Sequence, residues 1–363
     1  MDPKEYLPRL QQFLNEIAYS YTPPSPPSAE FLRTHHHWVH HILGPMTSWT
    51  TDMLTDAEIV SATLWERVLP FADAEMKFIL ARLTAIAAFL DDSITDKTVY
   101  DDINEFACRA YLGEAQPDGV LALFYQCLQE LSKAHEGDAV LRCLAVTSWF
   151  TFPDTCLLEK RLLTVDPELR ASPQDMGFPG LLQSRTRRIK VAPKMPPVEA
   201  EVNFPMYLRD KSGFGEAFAA AIFKASKNQE LPLSRFVKAF PDLIYYIEVI
   251  NDLLSFHKEQ LAGETVNMIS LQHQSWRGGK GTGPLDEWTM VDTYGRLCDQ
   301  VRDATLRIDK LLRLEECEMV ESGELRYEDV GLEAVDVTIA MQWREYRNIC
   351  GDVRRASAKL LPI

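Results

Sequence analysis

The residues best suited to do chemistry lie in one stretch, Asn251-Asp252-Leu253-Leu254-Ser255-Phe256-His257-Lys258-Glu259. On a helix, Asn251, Ser255 and Glu259 fall within an arc of roughly 80°, with Lys258 close beside Asn251. Three oxygen donors and one ammonium then share a face. Such a face can hold a hard cation through oxygen while the lysine meets an anion bound by the same cation. That pairing is the chemistry of a Mg2+-diphosphate site. The flanks, Leu243-Ile244-Tyr245-Tyr246-Ile247 before it and Leu253-Leu254 within it, are apolar. A polar stripe on so greasy a helix needs a reason, because unpaired polar groups in a core cost several kcal/mol.

Other candidates stand elsewhere in the chain. Asp91-Asp92 follows the apolar run Phe78–Leu90, which places two acids at the negative pole of a helix dipole. A divalent cation would offset that cost; the plainer alternative is an acidic turn leading to Lys97. Arg209 lies one turn before Ser212-Gly213-Phe214-Gly215, whose glycines suit a local break in a helix. The run His35-His36-His37-Trp38-Val39-His40-His41 has histidines at i, i+4, yet no cysteine or further histidine nearby completes a four-ligand set. It reads as an exposed, histidine-rich helix face. Trp276 to Pro284 is glycine-rich, but its spacing fails that of a phosphate loop and no strand precedes it, so it reads as a connector.

The elements that must position these residues are helices throughout, since strand alternation appears nowhere and the predicted class is all-α. Long helices are expected over Asp56–Leu69, Ala72–Leu90, Leu121–Ala134, Ala139–Thr151, Leu285–Leu314 and Leu325–Ala356. The domain reading is an N-terminal segment 1–29 with a proline-rich connector, a helical domain 30–356 and a tail 357–363. Within that domain 166–202, rich in proline and charge, reads as a loop insertion. Of 363 residues 46% are hydrophobic, enough to bury a large core. The net charge of -15 argues against nucleic acid or an acidic membrane surface as partner, so an anionic ligand must be held by metal and a few local bases. Seven scattered cysteines without CxxC spacing suggest reduced thiols, and the absence of a signal-peptide pattern or a long apolar run makes cytoplasmic the expected location.

Taken together, an aspartate pair ending an apolar helix, an arginine before a glycine break, the N-D-L-x-S-F-x-K-E stretch and a late Arg/Tyr helix resemble the class I terpene cyclases. The fungal trichodiene synthase group is the nearest in kind, and the likeness covers the chain from about Glu30 onward. The resemblance implies a single bundle of helices around a deep apolar pocket, three Mg2+ ions and a linear isoprenyl diphosphate as substrate, farnesyl diphosphate first. By the same resemblance Asn251, Ser255 and Glu259 chelate one Mg2+, Asp91 ligates the other two, and Asp92 acts behind it. Arg209, Lys258, Arg344 and Tyr346 would meet the diphosphate, with Ser212 and Gly213 at the linker and effector positions of the helix break. Helical cyclases often pair, which makes a homodimer one expectation.

The chain departs from the pattern at three places. Thr95 stands where the aspartate motif usually carries a further acid, with Asp96 one residue late. Glu345, instead of arginine, precedes Tyr346, so either Arg344 or Arg347 supplies the charge or it is missing. The insertion lengthens the spacing between the two metal motifs. Trp149, Phe150 and Trp343 are candidates for an aromatic pocket wall, with plain core packing as the alternative.

Overall fold

The computed structural model describes residues 3–19, 27–69, 72–93, 97–165, 203–226, 229–262, 267–278 and 288–359. Thr95, Asp96, the 166–202 insertion and the Lys258 side chain lie outside the described residues. The described residues form fifteen α-helices: α1 (Pro3–Glu16), α2 (Ala29–Trp38), α3 (Thr51–Val68), α4 (Ala74–Asp92), α5 (Lys97–Leu112), α6 (Val120–Ala134), α7 (Ala139–Val165), α8 (Phe204–Ser212), α9 (Gly215–Ile222), α10 (Phe240–Ala262), α11 (Met268–Gly278), α12 (Met290–Leu311), α13 (Leu314–Glu321), α14 (Tyr327–Val330) and α15 (Ala334–Lys359). The only strands among the described residues form a short antiparallel hairpin, β1 (Lys224–Ser226) with β2 (Gln229–Glu230). Strands of two or three residues are too short to leave an alternating pattern in a sequence.

Helix α4 is the innermost element. Asp73 caps it by accepting from the Met76 amide, and from Ile79 to Asp91 every residue is buried. Being apolar all round, it must be enclosed on all sides. Its neighbours are α2, α3, α6 and α7, and following contacts onward gives a closed circuit: α4 against α3, α3 against α15, α15 against α10, α10 against α9, α9 against α7, and α7 back to α4. Outer helices cover the wall, α1 and α12 behind α10, α13 behind α15, α5 and α6 behind α7. Tyr6 of α1 packs on Phe256 and Tyr294, and the Tyr294 hydroxyl donates to the Leu253 carbonyl at 2.9 Å, which fixes the back of α10.

Inside the circuit, Trp65 of α3 meets Phe218 of α9 with ring centroids 4.6 Å apart. Trp149 of α7 packs on Phe214 at 4.1 Å and lies 6.5 Å from Phe218. Aromatic carbon therefore closes the interior at this level. Trp65 is fixed in rotation by its indole N–H, which donates to Thr84 of α4 at 2.7 Å. Of the aromatics expected at a pocket wall, Phe150 packs on Phe106 and Tyr111 of α5, towards the outside, and Trp343 donates to Asp309 of α12.

Several boundaries differ from expectation for local reasons. Helix α7 continues through Pro153 to Val165, beyond the end expected at Thr151. Helix α3 starts at Thr51 because Thr50 caps it, accepting from Met53. The two closing helices are each divided, the first by Arg313 and the second by Gly331, both in the left-handed region at φ 54° and φ 63°. The six described cysteines outside the chain's last turns are free, four of them buried. Among the described residues no helix is long and apolar enough to cross a membrane.

Candidate active site

The polar stripe of α10 assembles as its spacing predicts. Asn251 is half-buried, Ser255 is buried and Glu259 is fully buried. The Ser255 hydroxyl donates to Glu259 Oε1 in a short contact, and it also lies 2.9 Å from the Asn251 carbonyl one turn back. Two of the three expected donors thus share one edge of the helix. With Asp91 the set is wholly oxygen, which suits a hard cation such as Mg2+, and the buried hydroxyl-carboxylate contact is the observation that the residues fit one.

Arg209 reaches this helix from α8. Its Nε lies 2.9 Å from Asp252 Oδ2, beside Asn251 in sequence, and 3.4 Å from the Glu248 carbonyl. Asp252 is buried, and so is most of the arginine. Its Nη2 is buried without a hydrogen-bond partner among the described residues. A buried guanidinium nitrogen left with spare donor capacity is costly unless a ligand supplies the acceptor. Asp252 and Glu248 were not assigned roles from sequence. Their partner, Arg209, is roughly forty positions away, and no local periodicity reports a pairing of that range.

Directly behind Arg209 the helix breaks. Ser212 ends α8 with its hydroxyl donating back to the Leu208 carbonyl at 3.1 Å, Gly213 caps it, and α9 restarts at Gly215. The left-handed residue between them is Phe214, φ 56°. For a bulky side chain that conformation costs of order 1–3 kcal/mol. Burial of its ring between Trp149 and Phe152 offsets the strain. The glycines serve another purpose. A Cβ on Gly213 would sit 2.8 Å from Glu248 Cγ, and one on Gly215 would sit 2.5 Å from Glu248 Oε1. Both are glycine because α10 presses its Glu248 side chain into the break. Thr155 of α7 donates to the Lys211 carbonyl at 3.1 Å and holds the other side.

Glu248 is fully buried, and desolvation raises its carboxyl to about 9, with a hydrogen bond to Asp210 and that residue's charge adding to the effect and Arg209 opposing it. It is therefore neutral at pH 7. The unfolded chain releases this proton near pH 4.5 while the folded chain keeps it until about 9, so between those values rising pH favours unfolding, by about 1.4 kcal/mol per pH unit at most. Glu248→Gln keeps the shape and the hydrogen bonding without titrating. Its melting temperature is expected to exceed the parent's by a margin that widens from pH 5 to pH 9; equal slopes across that range would mean the carboxyl is ionised in the fold.

On α4, Asp91 is buried and Asp92 is reached by solvent. Asp92 is nevertheless crowded by protein, and that desolvation pushes it up to about 6, against the lowering effect of the Trp49 indole. On α15, Tyr346 is buried and stacks on Trp343 with centroids 6.3 Å apart. Arg344 faces α13, 3.0 Å from Glu321 and 3.7 Å from Glu318, with Glu345 also 3.7 Å away. Arg347 is buried and paired with Asp309 of α12 at 2.8 Å. Each arginine flanking Tyr346 is thus paired with carboxylates of an outer helix, although Arg347 keeps a buried Nε without a hydrogen-bond partner among the described residues.

No protein-family model matches the chain. Over 211 residues, 58% of this chain and 54% of the other, it is 31% identical to Terpene synthase BipA of Cochliobolus sativus. Over 212 residues, 58% and 53% of the two chains, it is 27% identical to Longiborneol synthase CLM1 of Gibberella zeae. The chain spans about half the length of the curated relatives it matches. Among solved structures, the linalool/nerolidol synthase of Streptomyces clavuligerus in complex with 2-fluorogeranyl diphosphate superposes with a TM-score of 0.60 at 15% identity, over 92% of this chain and 100% of that one. The fold is that of the class I terpene synthases. The sequence relatives are fungal terpene synthases.

Proposed function

We propose that the chain is a Mg2+-dependent class I terpene cyclase of the trichodiene synthase kind, which ionises a linear isoprenyl diphosphate, farnesyl diphosphate first, and cyclises the carbocation to a hydrocarbon or alcohol. The observation that carries this reading is the pairing of Arg209 with Asp252, which sets a buried, under-used guanidinium beside the Asn251, Ser255 and Glu259 edge of α10. Three Mg2+ ions, held by Asn251, Ser255 and Glu259 on one side and Asp91 on the other, would neutralise the departing diphosphate and so ease C–O cleavage. Arg209 would supply directional donors to the same anion, and Lys258 and Tyr346 would extend that set. Asp252 aims the guanidinium, and Glu248 with the two glycines fixes the height of the break from which it projects. The buried aromatics Trp65, Trp149 and Phe218 would exclude water and offer ring faces to an allyl cation.

Incubation of purified protein and Mg2+ with geranyl, farnesyl and geranylgeranyl diphosphates, followed by mass spectrometry of the extracted products, tests the proposal. A cyclised fifteen-carbon product is expected. Product from another chain length alone would correct the substrate, and no product from any of the three would remove the enzymatic reading.

A further inference from the structure

The histidine run is more than an exposed face. His35 is fully buried, and its ring lies 2.7 Å from the Ser61 hydroxyl. Burial holds it neutral, down to about 3. His36 and His40 point instead at α3. His36 Nδ1 is 2.8 Å and His40 Nε2 3.1 Å from one oxygen of Glu58, and the three ligand atoms all lie within 4.8 Å of one another. The Glu58 side chain is 10% exposed, His40 13% and His36 56%, so two donors are fixed in protein and the third closes over them from the solvent side. A single π-helical turn begins at Val39, between the two histidines. Such turns are rare and gather at functional sites. Glu58 comes from another helix, and for that reason the sequence shows only two of the three ligands.

We infer that His36, His40 and Glu58 form a zinc-binding site that joins α2 to α3, separate from the oxygen-lined Mg2+ site. Two imidazoles and a carboxylate are a standard three-ligand zinc set, with a fourth position for water. Tetrahedral zinc at bond lengths near 2.0–2.1 Å needs its ligand atoms about 3.3 Å apart, so the distances to Glu58 require only a slight opening. Zinc would replace the direct contacts that each imidazole now makes with the carboxylate. Mg2+ is a poor competitor, because it prefers oxygen and dehydrates reluctantly. His37 and His41, also at i, i+4 with ring centroids 5.0 Å apart, are exposed and outside the cluster, which makes them an internal control.

The test is calorimetric titration of tag-free full-length protein with zinc chloride, in the presence of excess Mg2+, alongside the visible spectrum of the Co2+ form. One equivalent of zinc is expected, with a tetrahedral Co2+ band and a rise in melting temperature on zinc addition. His40→Ala and His36→Ala should each weaken binding by about tenfold or more, while the doubly substituted His37→Ala, His41→Ala protein should bind as the parent does. Glu58→Gln should behave like His40→Ala; should it fail to fold, His36→Ala decides, since that side chain is largely exposed. Absence of zinc binding by the parent, undiminished binding by His36→Ala and His40→Ala, or equal loss in the control pair would each overturn the assignment.

Discussion

Replacing Asn251 and Ser255 together by alanine is expected to lower turnover of farnesyl diphosphate by about a thousandfold or more while the protein stays folded. Single donors aimed at developing charge in a water-poor site are worth about 10²–10³ in rate, and this change removes two oxygens from the same proposed chelate. The structural cost is smaller. Ser255 gives up its contact with Glu259 and its approach to the Asn251 carbonyl, a loss on the order of 1–3 kcal/mol for a buried hydrogen bond whose partner stays behind. Circular dichroism should therefore report an intact helical protein melting a few degrees lower. Ser255→Thr, which retains the hydroxyl, should restore most of the turnover lost on changing Ser255 alone. A thermal-shift measurement separates binding from chemistry: Mg2+ plus pyrophosphate should raise the melting temperature of the parent and leave that of the double variant unmoved. Wild-type turnover in the double variant would exclude the chelate.

The sequence disclosed the features that repeat locally. The α10 stripe follows from one period of a helix, and Ser255 meets Glu259 because residues four apart must. The apolar run of α4 shows the same logic, since a helix greasy on every side has to lie inside. Pairings between distant segments left no such trace. Asp252 was one more polar residue in the stripe until α8 brought Arg209 to it. Glu58 sat unremarked in α3, and the histidine run was judged without it. The reach of α7 beyond Thr151, through Pro153 to Val165, left no trace either, because neighbours on several sides supply packing that outweighs one lost backbone hydrogen bond. At the helix break the glycines were legible while their reason was not. They suggested freedom of the backbone, yet the left-handed residue is Phe214, and what requires glycine is the closeness of Glu248.

That closeness makes Gly213→Ala the second large effect. The new methyl group would lie 2.8 Å from the Arg209 carbonyl oxygen and 2.8 Å from Glu248 Cγ, nearer than real Cβ contacts fall. The carbonyl cannot yield on its own, because it already accepts the Gly213 amide at 2.7 Å. Glu248 cannot swing away without leaving Asp210 and the space Gly215 gives it. The break must therefore lift from α10, carrying with it the arginine whose Nε is held 2.9 Å from Asp252. Overpacking of this kind costs roughly 1–3 kcal/mol of stability, which a protein of this size survives. A displacement of about 1 Å at a positioning group costs about a hundredfold in rate, so kcat/KM for farnesyl diphosphate should fall by that order with the fold intact. Gly295→Ala is the matched control: it lies within α12, its nearest neighbour would be Arg9 Nε at 3.9 Å, and alanine there should leave activity unchanged and stability equal or slightly higher. Should Gly213→Ala turn over substrate like the parent, the break tolerates a side chain, and the contact with Glu248 does not set the position of Arg209.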